Sequence, residues 1–149
     1  MLRDRVDELA DLEVLQIGRP RKEMRFQLSR LPEWLEYFAN LACVHEDTIP
    51  PFGPGYINQV RRIPLGVVAQ VTPFNHPLLI TIKKLAPAIA AGNTVVIKPS
   101  ELAPASIIEL AALCHEAGLP KGVMNVVLGG KEVCSCLVQH PSVSKVDFT

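Results

Sequence analysis

Two hydrophobic periods alternate along this chain, one of three to four residues and one of β-branched runs. From Arg3 to Ile17, Val6, Leu9, Ala10 and Leu12 gather near one face and Gly18-Arg19-Pro20 stops the run, which predicts an amphipathic helix. Glu23 to Val44 is a second helical region, with Leu31, Trp34, Leu35, Phe38, Leu41 and Ala42 at spacings of three and four. That stripe, with Tyr37 beside it, reads as core rather than as a binding face, and Pro32 predicts a kink or a restart. His45 to Tyr56 is a loop rich in proline and glycine, and Ile57 to Ile63 alternates like an exposed strand.

From Gly66 onward the pattern changes. Gly66–Val71 is too short and too β-branched for a helix. A turn cluster follows, Thr72-Pro73-Phe74-Asn75-His76-Pro77, and then a helical run from Leu78 to Ala91 that stops at Gly92-Asn93. Thr94–Ile97 is a second strand, ending in Lys98-Pro99-Ser100-Glu101. A helix opens near Pro104 and closes at Gly118, and Val123–Leu128, Lys131–Gln139 and Lys145–Thr149 read as strand, helix and strand. The order β-α-β-α-β-α-β predicts an α/β fold with a partial doubly wound parallel sheet, Rossmann-like, preceded by amino-terminal helices. The expected division is a helical segment with an arm strand over residues 1–62 and the sheet over residues 63–149. A fourth strand with nothing to cover its edge leads to the expectation that the chain is part of a longer one.

Composition narrows the function. Fifteen basic and fifteen acidic side chains balance, so no basic groove for nucleic acid or surface for an anionic membrane is expected. Lys83-Lys84, Pro87 and Gly92 break the apolar runs, so no segment is expected to span a bilayer. The amino end is charged from its third residue and does not read as a secretion signal, which makes the cytoplasm the expected compartment. Cys43 and Cys114 fall on apolar helix faces and read as buried small hydrophobes. Cys134-Ser-Cys136 has neither zinc nor redox spacing, so no metal is expected.

Three polar residues stand where chemistry would sit, because open parallel sheets bind ligands beyond the carboxyl ends of their strands. Asn75 reads either as a helix cap or as an amide donor aimed at a developing oxyanion. Lys98 and Glu101 read either as a solvated turn with a local ion pair or as a ribose clamp, the acid accepting from sugar hydroxyls and the lysine donating. GxGxxG, a P-loop, HExxH and GxSxG are all absent.

PFNHPLL, KKLAPAIAAGNTVVIKPSELAP and GLPKGVMNVVLG together resemble the amino-terminal half of the aldehyde dehydrogenase superfamily. The likeness runs from about Leu9 to Thr149. It implies that Asn75 is the oxyanion donor and that Val71, Thr72, Pro73 and Phe74 form the strand end along the cofactor. It implies that Lys98 and Glu101 bind the adenosine ribose with Ser100 between them, and that Gly129 lies near the adenine. The implied cofactor is NAD, with NADP possible, since Glu101 would repel a 2′-phosphate. The implied substrate is an aldehyde, and the implied full-length assembly is a homo-oligomer. The resemblance puts the nucleophilic cysteine and the general-base glutamate downstream of Thr149, so these 149 residues alone are expected not to turn over. The alternative is a non-catalytic, shortened relative that binds dinucleotide or pairs with full-length subunits. Two positions depart from the family pattern: His76, where a bulky apolar residue is usual, and Cys134, where glycine is usual.

Overall fold

The computed structural model describes residues 1–149. A 3-10 turn over Arg3–Arg5 leads into three helices, α1 (Val6–Ile17), α2 (Arg21–Ser29) and α3 (Leu31–Cys43). Gly18 closes α1 in the left-handed conformation, φ 70°, where a β-carbon would be strained. The proline signal resolves as a restart. Arg30 ends α2 and begins α3, and Pro32 sits in the first turn of α3, where its missing N–H costs nothing.

The sheet follows as β1 (Val67–Val71), α4 (Pro77–Ala90), β2 (Thr94–Lys98), α5 (Ala105–Glu116), β3 (Met124–Val126), α6 (Lys131–Gln139) and β4 (Val143–Phe148). All four strands are parallel, in the order β3-β2-β1-β4. Two crossovers therefore step one way from β1, and the third steps back across it. Right-handed crossovers then put α4 and α5 on one face and α6 on the other. The packing agrees: α4 touches β1, β2 and α5, while α6 touches β1 and β4. This is the doubly wound α/β sheet that the alternation predicts.

Some expectations change. Ile57–Ile63 forms no strand; the only pairing there is a single antiparallel bridge between Thr48 and Val60. Its alternating side chains are nearly all exposed, so nothing holds it to a second strand. The third strand is shorter than Val123–Leu128, spanning Met124–Val126 against β2. The stripe on α3 is not all core. Leu31 is buried, but Trp34 is 38% and Tyr37 60% exposed, because α3 packs on α4 through Leu31, Leu35 and Phe38. Cys43, the last residue of α3, is exposed rather than buried, having passed beyond the helix's packing partner. Cys114 is half-buried, and burial pushes its thiol above the usual range.

One hydrophobic cluster joins the helices to the sheet. Leu9, Met24, Leu28 and Leu31 pack with Leu78, Ile82, Val95, Ile97, Ile107 and Leu110. At its edge, α1 sends a charged residue inward. The Glu13 carboxylate is fully buried and accepts from the Leu78 backbone N–H at 2.8 Å and the Ser106 hydroxyl at 3.1 Å. One turn on, Gln16 Oε1 accepts from the Ala105 N–H at 3.2 Å. Neither α4 nor α5 has a side-chain cap of its own, so α1 caps both, Glu13 the Leu78 N–H of α4 and Gln16 the Ala105 N–H of α5, while Glu13 Oε2 is buried without a partner.

Burial pushes the Glu13 carboxyl above its ordinary range, although Leu78, Ser106 and Arg19 pull the other way. A raised carboxyl binds more protons in the folded state, so stability falls as pH rises from the unfolded value near 4.5 to the raised folded value. We expect Glu13→Gln to abolish that slope while keeping an acceptor for Leu78 and Ser106. Glu13→Ala orphans both donors and should cost about 2–3 kcal/mol at every pH. Urea denaturation of the three proteins at several pH values between 4.5 and 8 measures both effects.

Candidate functional site

The carboxyl ends of β1 and β2 lie side by side. Val71 pairs with Lys98 in register, and the Thr72 N–H extends the ladder by donating to the Lys98 carbonyl at 3.1 Å. Val71 and Thr72 are buried, Pro73 is half-buried, and Phe74 and Asn75 are exposed. The Asn75 turn and the Lys98–Glu101 segment therefore leave the sheet along the same edge. Thr72 Oγ1 is buried there without a partner.

Asn75 does not cap α4. His76 occupies the cap position, and its side chain makes no capping bond either. The carboxylate of Glu13 takes that role from another helix, which leaves the Asn75 amide unused inside the chain. Arg19 fixes the turn instead. Its Nη1 donates to the Asn75 carbonyl at 3.3 Å and to His76 Nε2 at 2.6 Å, while its Nη2 binds Glu23. A guanidinium can only donate, so a ring nitrogen of His76 accepts from it and the imidazole is neutral. Nδ1 faces the Gln27 side-chain amide, with Oε1 at 3.1 Å and Nε2 at 2.8 Å. Burial, then the Arg19 charge, hold the imidazole below its usual range.

Of the two readings of Lys98 and Glu101, the local ion pair does not form. Lys98 is buried, and its ammonium donates to the Pro99 carbonyl at 2.9 Å and the Gly129 carbonyl at 2.8 Å. One of its three N–H donors remains. Ser100 is half-buried and its hydroxyl accepts from the Leu102 N–H at 3.3 Å. Glu101 is exposed and lies against Gly130, where an added β-carbon would come within 3.0 Å of Oε2. Gly129 has φ +144°, and a β-carbon there would stand 2.4 Å from Val133 Cγ2. Lys98, Glu101 and the glycine pair thus make one small cradle with a free acceptor and a free donor. Cys134, in the first turn of α6, is half-buried and its N–H binds the Gly130 carbonyl at 3.1 Å.

Sequence reasoning missed three groups. Glu13 looks like any acid on an amphipathic helix. Arg19 sits in the turn that stops α1. Lys84, buried in α4, forms an ion pair with Asp147 of β4, the strand beside β1. Its position among apolar residues of α4 was the available signal. No group of His, Cys, Asp or Glu is arranged to hold a metal ion, and no helix is long and apolar enough to cross a membrane. A concavity of about 890 Å³ lies between α2, α3 and α4.

Comparison with known proteins identifies the relatives. The model of the aldehyde dehydrogenase family matches residues 1–149. The probable betaine aldehyde dehydrogenase of Schizosaccharomyces pombe is 41% identical over 153 aligned residues, covering 100% of this chain and 31% of that protein. A crystal structure of an NAD-dependent aldehyde dehydrogenase from Sinorhizobium meliloti superposes with a TM-score of 0.93 at 37% identity, covering 97% of this chain and 29% of that one. The betaine aldehyde dehydrogenase of Staphylococcus aureus in complex with NAD+ gives 0.94 at 34% identity, covering 99% and 30%. The chain spans less than a third of the length of each.

The neutral His76 makes the Asn75 turn sensitive to acid. A lowered imidazole binds fewer protons folded than unfolded, so stability is retained above pH 6.5 and lost as pH falls through the folded value. Thermal melts between pH 5 and 8 should show that acid-side loss, and His76→Phe should remove it. Imidazole titration by NMR should place the His76 midpoint below 6.5.

Proposed function

The chain belongs to the aldehyde dehydrogenase family, and from that premise we propose that it supplies the oxyanion donor and the adenosine-ribose side of the cofactor site of an enzyme that oxidises an aldehyde to a carboxylic acid. The observation that carries this reading is the in-register pairing of Val71 with Lys98, which sends the Asn75 turn and the Lys98–Glu101 segment off one sheet edge.

NAD fits the residues present. A ribose diol offers two donors and two acceptors; Glu101 offers an unpaired carboxylate and Lys98 one remaining N–H. Gly129 and Gly130 keep the approach to these groups free of side chains. Ser100 orders the turn between them. Val71, Thr72, Pro73 and Phe74 would form the wall along the dinucleotide. Glu101 disfavours a 2′-phosphate, so NAD is preferred over NADP. When bound, this cofactor accepts the hydride of the aldehyde carbon.

The chain's own contribution to the chemistry is electrostatic. Attack by a cysteine thiolate on the aldehyde turns the carbonyl oxygen into an alkoxide, and the Asn75 amide donates to that developing charge. Its effect depends on being in place before the charge forms, and the Arg19 bonds to the Asn75 carbonyl and to His76 hold the turn in advance. The thiolate, and the glutamate that activates water for thioester hydrolysis, belong to parts of the enzyme outside residues 1–149. In the same reading the complete protein is a cytoplasmic homo-oligomer.

Asn75→Ala should lower kcat of the complete enzyme by roughly 10²–10³-fold, the usual cost of one oxyanion donor, and leave NAD affinity unchanged. Lys98→Ala and Glu101→Gln should each weaken NAD binding roughly tenfold without acting on the chemical step. Calorimetry with NAD, beside steady-state kinetics, separates the two classes. Equal effects of all three variants on NAD affinity would refute the assignment.

A further inference from the structure

The concavity between α2, α3 and α4 has no role in the reading above. Its walls are aromatic and aliphatic, from Phe26, Trp34, Tyr37 and Leu79, and its charges are unevenly compensated. Glu23 is held by Arg19, and Glu33 by Arg30 at 3.1 Å. Both acids of the lining are therefore neutralised where they stand. Lys83 also lines the groove and has no carboxylate partner. Its ammonium rests over the Trp34 ring, 4.9 Å from the centroid, which leaves one uncompensated cation in an aromatic groove.

The groove is continuous with the Asn75 turn. Leu79 and Lys83 are four residues apart and share one face of α4, and His76 is the cap residue before it. Gln27, another lining residue, is bonded to His76. From Pro77, the first residue of α4, to Lys83 the rise along the helix is about 9 Å. Lysine side chains lean toward the helix amino terminus, so the ammonium lies closer to the turn than its backbone does. A molecule with its carbonyl oxygen at Asn75 and a short methylene chain along Leu79 brings its far end to Lys83.

We propose that this groove selects aldehydes carrying a carboxylate a few carbons from the carbonyl, with Lys83 as the specificity-determining residue. The proposal rests on Asn75 marking the reacting end. A carboxylate gains an ion pair with Lys83, and the aromatic walls cover the spacer. A quaternary ammonium meets the opposite situation: the aromatic face it would occupy already carries a cation, and the like charges repel. A neutral aldehyde of equal length keeps the apolar contacts and gains nothing at the far end.

Trp34 is the only tryptophan of the 149 residues, so its fluorescence reports on the groove without turnover. We expect 4-oxobutanoate to change that emission at concentrations at least tenfold below those needed for butanal or betaine aldehyde, with the margin shrinking as salt is raised. Lys83→Met should erase the tenfold preference, Lys83→Arg should restore it, and neither should alter NAD binding by calorimetry. Equal responses to the three aldehydes, tighter binding of betaine aldehyde, or an undiminished preference in Lys83→Met would overturn the proposal. An anion preference in a protein that fails to bind NAD would instead overturn the dehydrogenase reading and leave the groove's selectivity standing.

Discussion

Glu13 serves two helices at once. Its carboxylate receives the Leu78 N–H at the start of α4 and the Ser106 hydroxyl at the start of α5. Burying a carboxylate is expensive, and two donors on Oε1 offset only part of that cost, since Oε2 stays buried without a partner. The geometry of the site follows. Because Glu13 supplies the capping acceptor, the turn before α4 is relieved of that task. Asn75 keeps its amide free, and His76 turns its ring toward Arg19 and Gln27. A residue on another helix thereby sets which side chains near the strand end are available.

The opposite side of the site is organised by a lysine. Lys98 is buried at the end of β2, and two carbonyls, of Pro99 and Gly129, take most of its hydrogen-bonding capacity. The loop after β3 is thus tied to the loop after β2. Glycine at 129 is required twice over, by its backbone angle and by the Val133 side chain beside it. Glu101 remains outside this tie, with its charge unpaired and facing the gap over Gly130.

Local signals in the sequence carry the fold well and the site unevenly. The helix stops at Gly18 and Gly118, the restart at Pro32 and the β-α alternation all follow from residues within a turn of each other. Asn75, Lys98 and Glu101 are legible for the same reason, as polar residues at strand ends. Glu13 is not, since its partners lie 65 and 93 residues away and its own neighbourhood is that of an ordinary amphipathic helix. Trp34 and Tyr37 mislead in the other direction. Helical spacing reports that a side could be packed, but only the position of α4 decides how much of it is. The segment Ile57–Ile63 fails likewise, because alternation without a partner strand leaves a chain merely extended.

The strand order has a kinetic meaning as well. β1 is the first of the four strands made, yet it lies inside the sheet, and one of its two neighbours is β4, the fourth. During vectorial synthesis Val67–Val71 must therefore wait with one row of amides and carbonyls unpaired while the intervening chain is assembled. Such long-range parallel pairing is slow to close, and an apolar strand left open in this way invites association with other nascent chains. The residues of β4 that pair with β1, with Lys145 and Asp147 among them, end that exposure.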